Sequence, residues 1–251
     1  MNKNDNCRDF LKASAFIDLE SIETDQNKEM PEPPIQKQCP ENVKLIDLVP
    51  PDLFTCGQMD ILSTLRKRKT RHAYSDVPLT LEEFSFLLWS VQGIKKIVKN
   101  GYATLRTVPS AGARHCFETY IAVFNVEGLK KGIYRYLPLD HKIYFIDCPD
   151  NLEELLSDAC LKQDFVSKGA VTFIWSVIPY RMEWRYDIAS YKLICLDAGH
   201  LCENLYLASE SIGAGTSAIA AYDQKKIDNL LHLDGEDEFC IYIAPVGKLQ
   251  K

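Results

Sequence analysis

The chain has 251 residues, a formal charge of -6, 46% hydrophobic and 25% charged side chains, an ordinary composition for a folded protein that can bury a sizeable core. The acidic balance argues against a general nucleic-acid binder, and no apolar run approaches the ~20 residues that a membrane span needs. The N-terminus lacks the apolar core of a secretory signal, and nine scattered cysteines without a CxxC pair read as reduced thiols, so the cytosol is the expected compartment.

Residues 1–57 differ from the rest. Pro31, Pro33, Pro34, Pro40, Pro50 and Pro51 crowd a stretch of little periodicity, and prolines at this density remove backbone donors and favour extended chain. An arm packed along the surface of a core is expected, with "KLIDLV" as a short strand or an anchoring contact. The core domain is expected over 58–251. Met59, Leu62 and Leu65 at helical spacing predict a first helix that ends in a basic run, Arg66 to His72. A stronger helix follows, with Thr80 and Glu83 as a capping box, an apolar stripe from Leu81 to Val91, and Gly93 as its stop. "TYIAVFNV", "GIYRYLP" and "KIYFID" read as strands, with "LKKG" as a turn between the first two. Asp150 and Glu153 are the expected cap of the helix "NLEELLSDACL", and "AVTFIWSVI" from Ala170 reads as a buried strand. The longest predicted helix, Ser190 to Gly213, is apolar on more than one stripe, which places it centrally or at a subunit interface. A strand-like "AGTSAIAAY", a helix from about Asp223 and the strand "FCIYIAPVG" complete the chain. Strands in hairpin order with interspersed helices make the class α+β.

The basic run sits oddly in an acidic chain. Taken alone it fits a solvated face, a nucleic-acid patch or an anion site. Arg68, Thr70 and His72 alternate, so in extended chain they point to one side. A guanidinium and a hydroxyl side by side suit a phosphate. No GxxxxGK[ST] loop or GxGxxG is present, which excludes the usual ATP and dinucleotide cradles but leaves a mononucleotide open. Pro109, Ser110, Ala111 and Gly112 form a small-residue loop: either an ordinary turn or a place where a ligand approaches the backbone. The five histidines lack metal-site spacing and no GxSxG elbow occurs, so neither a metal centre nor a hydrolase triad is expected. Asp197 and Glu203 read as polar neighbours on one helix.

These segments, in this order, resemble the nitroreductase superfamily, specifically the SagB/ThcOx-type dehydrogenases. The motifs are the basic segment, "PLTLEE" with its W-x-x-Q-G ending, "RTVPSAGA", "VEGLKKGIYRY", the Arg-Tyr pair before "LDAGHLCENLYLASESIG", "AIAAYD" and "APVGK". The resemblance implies an α+β homodimer with a mostly antiparallel central sheet flanked by helices and FMN at the subunit interface. It implies that Arg68, Lys69, Thr70 and Lys248 lie on the FMN phosphate side, and that His72 stands where relatives carry Arg or Lys near the flavin. Pro109, Ser110, Ala111 and Gly112 would reach the flavin across the dimer, and Ala220 and Ala221 would offer backbone N–H groups to it. Arg185 and Tyr186 align with a Lys-Tyr pair of azoline-oxidising relatives; arginine is a poor proton acceptor, which leaves Tyr186 and disfavours azoline oxidation. The implied activity is ping-pong hydride transfer between flavin and a small molecule, with NAD(P)H as donor. Azoline dehydrogenation in peptide maturation and a non-catalytic flavin-binding module are the alternatives.

Overall fold

Two runs rich in β-branched and aromatic residues, Phe117–Val123 and Val171–Val177, are buried at every position and form the centre of the molecule. The computed structural model describes residues 8–16, 22–98 and 101–250. In chain order its strands are β1 (Leu45–Asp47), β2 (Ile94–Val98), β3 (Ala103–Arg106), β4 (Phe117–Val123), β5 (Gly132–Leu137), β6 (Lys142–Asp147), β7 (Val171–Val177), β8 (Ala214–Thr216) and β9 (Phe239–Lys248). The helices are α1 (Ile61–Lys67), α2 (Leu81–Gln92), α3 (Leu152–Ala159), α4 (Tyr180–Tyr186), α5 (Ser190–Ser211) and α6 (Gln224–Leu230). Seven strands make one sheet in the order β1-β6-β5-β4-β7-β9-β8, every neighbouring pair antiparallel. β2 and β3 pair separately as a hairpin.

Period-two alternation distributes the central strands between two layers. Ile121, Val123, Phe173 and Trp175 pack with Phe84, Leu87 and Leu88 of α2 and with Ile194, Leu201 and Leu205 of α5. Tyr120, Ala122, Ile174 and Ile243 face the other way, onto Leu152 and Leu156 of α3 and Ile227 of α6. The fold is therefore α+β, an antiparallel sheet covered by helices on both sides. Among the described residues, no helix is long and apolar enough to cross a membrane.

Local signals explain several elements. Thr80 Oγ1 accepts from the Glu83 N–H and Glu83 Oε2 from the Thr80 N–H, each at 3.1 Å, closing the capping box of α2. Asp223 caps α6 by accepting from the Lys226 N–H. The cap expected at Asp150 and Glu153 does not form. Asn151 is the residue before α3, without a side-chain bond, and Glu153 turns to Lys131 at 2.5 Å, where it meets a full charge. The strand expected over 214–222 is only three residues long. The chain leaves the edge after Thr216 and returns for one bridge, Ile219 with Ile243.

The proline-rich segment is built into the sheet. β1 adds itself to β6 as an edge strand, and residues 35–38 cross buried charge. Glu118, 2% exposed, accepts from the Lys37 N–H at 2.7 Å and from Arg181 Nη2 at 2.6 Å through Oε1, and from Arg135 Nε at 3.2 Å through Oε2. Arg135 also donates to the Lys37 and Gln38 carbonyls, and Arg106 to the Ile35 carbonyl. Prolines supply few donors, so here the core's arginines donate to the arm's carbonyls instead.

Candidate functional site

α1 ends at Arg68, whose backbone turns extended at φ -50°, ψ 124°. The chain then runs beside β8, with Thr70 bridging Thr216 and the Arg71 N–H donating to the Thr216 carbonyl. Here Arg68 places its guanidinium carbon 5.4 Å from the Tyr206 ring centre, and Thr70 shares a 3.3 Å hydrogen bond with the Tyr206 hydroxyl. Arg71 packs on Gly215, where a Cβ would lie 2.4 Å from Arg71 Cγ. The buried Arg71 Nε has no hydrogen-bond partner. His72 stacks on Phe165 with ring centres 4.1 Å apart and meets Ser217 Oγ at 3.0 Å through Nε2. Of the three residues expected to point to one side, Arg68 and Thr70 share Tyr206, while His72 goes instead to Phe165 and Ser217. Exposed Lys69 lies between them.

A second cluster surrounds the 109–112 loop. Gly112 adopts φ +58°, and a Cβ there would fall 2.6 Å from the Tyr186 hydroxyl and 2.9 Å from Arg185 Nε. Arg185 lies over the Tyr186 ring at 5.5 Å. On the loop's other side Asp197 of α5 accepts from the Ala111 N–H at 3.2 Å and from Ser110. Burial is the largest influence on Asp197 and pushes its carboxyl pKa up, against the pull of these donors. The fold therefore gathers Ser110, Ala111, Gly112, Arg185 and Tyr186, with Pro109 leading into the loop. Ala220 and Ala221 are exposed just beyond Ile219, and the Ala221 carbonyl accepts from Gln163. Lys248 stands apart. Its ammonium is paired with Glu83 at 2.6 Å and donates to the Ile212 carbonyl at 2.6 Å.

A profile of the Nitroreductase family matches residues 65–248. The chain belongs to the nitroreductase family. It is 30% identical over 198 residues to a Methanocaldococcus jannaschii protein described as a nitroreductase, covering 79% of this chain and 94% of that one. It is 28% identical over 156 residues to the trifolitoxin-processing protein TfxB of Rhizobium leguminosarum bv. trifolii, covering 59% of this chain and 42% of that protein. A solved chain of the E. coli microcin synthetase McbBCD complex, with truncated pro-MccB17 bound, superposes with a TM-score of 0.60. That match covers 100% of this chain and 99% of that one at 15% identity, a likeness of fold.

Nitroreductase-family proteins are flavin-dependent oxidoreductases, and the first cluster has the chemistry for a flavin phosphate. Arg68 and Thr70 are donors on one segment, both at Tyr206, and Gly215 lets that segment close on the sheet edge against Arg71. The two clusters meet α5 at Tyr206 and Asp197, nine residues apart, which at ~1.5 Å per residue is about 14 Å. Tyr206 falls within the "LDAGHLCENLYLASESIG" motif but nothing in its spacing marks it as a contact, and Ser217 carries no sequence signal. Asp197 was legible only as a polar residue on an apolar helix. α4 was not anticipated: seven residues are too few to show a helical period.

His115 closes the loop, its N–H donating to Ser110 Oγ and its Nε2 lying 3.1 Å from the Thr104 carbonyl. Burial, then Arg106, pushes its pKa down to about 3. The unfolded chain, with histidine near ~6.5, binds the proton more readily, so stability is full above that value and falls as pH drops toward 3. The slope reaches about 1.4 kcal/mol per pH unit. Thermal melts from pH 7.5 to 5 should therefore lose midpoint with acid, and His115→Gln should flatten that dependence.

Proposed function

We propose that the chain is a cytoplasmic FMN-dependent oxidoreductase, working as a homodimer, with residues 1–57 as an arm and 58–251 as the flavin-binding domain. When bound, FMN supplies a two-electron carrier between NAD(P)H and a small-molecule acceptor in alternating half-reactions. Arg68, Lys69 and Thr70 would hold its phosphate. His72, fixed by Phe165 and Ser217, would offer a polar edge to the ring system, as would the exposed Ala220 and Ala221 backbone. Lys248 would act by holding Glu83 and the end of α5 behind the strip. Pro109, Ser110, Ala111 and Gly112 would come from the other copy, carrying Arg185 and Tyr186 to the substrate side. Tyr186 would orient the substrate or hold its proton; Arg185, a poor base, would hold negative charge.

The observation that carries this reading is the pair of donors on one short segment, Arg68 and Thr70, brought together at Tyr206. The two-copy arrangement is supported by apolar surface left on the same side. Ile61, Leu62 and Leu65 of α1 and Leu196 of α5 are each more than half exposed, and a cleft of about 410 Å³ runs between α1, α2 and α5. Apolar residues grouped like this usually mark an interface. Cytoplasmic placement is supported by the unpaired cysteines among the described residues.

The purified protein should bind FMN, with a flavin band near that of the free cofactor. Arg68→Ala should weaken binding by about 10- to 100-fold, the loss of a charged hydrogen bond of ~1.5–3 kcal/mol. Lys67→Ala, an exposed residue, should change it by less than about 3-fold. Fluorescence titration decides this, and equal losses would contradict the assignment of the strip. A second reading, azoline oxidation on a peptide, is favoured by the likeness to TfxB and disfavoured by Arg185. A 2 Da mass loss from an azoline peptide with the FMN-loaded protein would establish it.

A further inference from the structure

We propose that residues 25–32 of the N-terminal arm clasp the loop and helix of the second cluster, with Glu32 as a positioning residue for Gly112, Arg185 and Tyr186. This rests on the functional reading above. Arg114, two residues after Gly112, is sealed inside the protein with 1% of its side chain exposed. Its Nη2 donates to Glu32 at 2.5 Å and to the Tyr102 carbonyl at 3.2 Å. Its guanidinium lies 5.1 Å from the Tyr102 ring centre and 5.3 Å from that of Trp184. Nε and Nη1 have no hydrogen-bond partner, so Glu32 is the carboxylate that balances this buried cation.

The same arm segment holds Trp184, the residue before Arg185 and Tyr186. The Trp184 indole donates to the Met30 carbonyl at 3.0 Å, and the Gln26 N–H donates to the Trp184 carbonyl at 2.8 Å. Gln26 Nε2 reaches the Tyr102 hydroxyl at 2.9 Å, and the Tyr180 hydroxyl donates to Asp25 at 3.0 Å. One short turn of the arm therefore ties β3's approach, the 110–114 loop and α4 together on one side. On the other side, Gly112 presses against Arg185 and Tyr186.

Neither tied element is self-sufficient. α4 has seven residues and no side-chain cap, and ends on Asp187 at φ +46°. Helices this short rely on tertiary contacts. The loop holds Gly112, Ala113 and His115 at positive φ, a backbone that persists only when its surroundings over-determine it. The clasp provides that surrounding. At the arm's second attachment the Lys37 ammonium pairs with Glu238 at the sheet, while its backbone N–H reaches Glu118, which also holds Arg181 of α4; Lys37→Met removes the first contact and leaves the second.

The test compares Glu32→Ala, Glu32→Gln and Lys37→Met in the full chain. Amide hydrogen exchange is measured over 109–116 and 180–187 without added flavin. FMN-loaded turnover is then measured with NADPH and menadione. Glu32→Ala should speed exchange in both segments and lower kcat, each by about 10-fold, because small displacements are costly at a reacting centre. Glu32→Gln, which keeps an acceptor for Arg114, should recover kcat to within about 3-fold. Lys37→Met should lower the thermal midpoint while leaving exchange in those segments and kcat within about 2-fold. If Glu32→Ala does not fold, Gln26→Ala should show the same pattern at about 3-fold. Changes that merely follow the melting midpoint in all variants, or unchanged exchange in Glu32→Ala, would overturn the clasp. Failure of the unsubstituted protein to bind FMN would instead sink the functional reading, and the exchange data would still decide the clasp.

Discussion

Gly112→Ala should cost about 100-fold in turnover while lowering the melting midpoint by only a few degrees. Two effects combine at this position. Alanine at φ +58° carries a backbone strain of ~1–2 kcal/mol, which for a chain of this size is about 2–8 °C. Its Cβ would also sit 2.6 Å from the Tyr186 hydroxyl and 2.9 Å from Arg185 Cδ and Nε, closer than atoms can pack. Those atoms lie far out on flexible side chains, so the side chains and not the backbone give way. The damage therefore falls on function: misplacing groups by about 1 Å can cost 100-fold. Gly128→Ala is the control, since Gly128 has φ +78° with nothing within 4 Å of the added carbon. It should show the strain and keep the turnover. Equal turnover in the two variants would show that Arg185 and Tyr186 lie outside the reacting region.

Glu118→Gln should produce the largest loss of stability, about 3–5 kcal/mol, or roughly 6–20 °C in midpoint. Burial works to raise this carboxyl's pKa, but Arg181 and then Arg135 outweigh it and hold it below the usual range. The amide keeps the shape of glutamate and removes the charge, leaving two buried guanidiniums facing each other; Arg181 Nη1 already lacks a partner. The same linkage fixes the acid behaviour. A depressed folded pKa gives stability that is present above the unfolded value of ~4.3 and lost as pH falls below it. Glu118→Gln should therefore weaken the acid dependence below pH 4.5 while leaving the His115 dependence between about pH 6.5 and 4.5 in place. A midpoint shift below about 2 °C, read by calorimetry, would mean that the cluster is not the arm's anchor.

Much of the fold could be read from local pattern. The capping box of Thr80 and Glu83 set the start of α2, and Asp223 marked α6, because a cap is a contact between residues three apart. The buried strands showed in their β-branched and aromatic content. The β2–β3 hairpin was missed because Ile94–Val98 alternates weakly, with Lys95 and Lys96 inside it. In the candidate site, Arg68 and Thr70 stood out by alternation. Lys248 could be matched to a motif, but its pairing with Glu83 joins residues 165 positions apart, which no local pattern records.

By itself, the sequence determined most of the strands and helices, though not α4 or the β2–β3 hairpin, that a basic strip ends the first core helix, and which family the chain resembles. All of these follow from short-range spacing and side-chain type. Only the tertiary structure decided that Gly112 touches Arg185 and Tyr186, that Tyr206 backs Arg68 and Thr70, and that Glu32 balances a buried Arg114. Those contacts depend on where the sheet and α5 bring distant residues, and burial then makes each unpaired charge or misplaced atom costly.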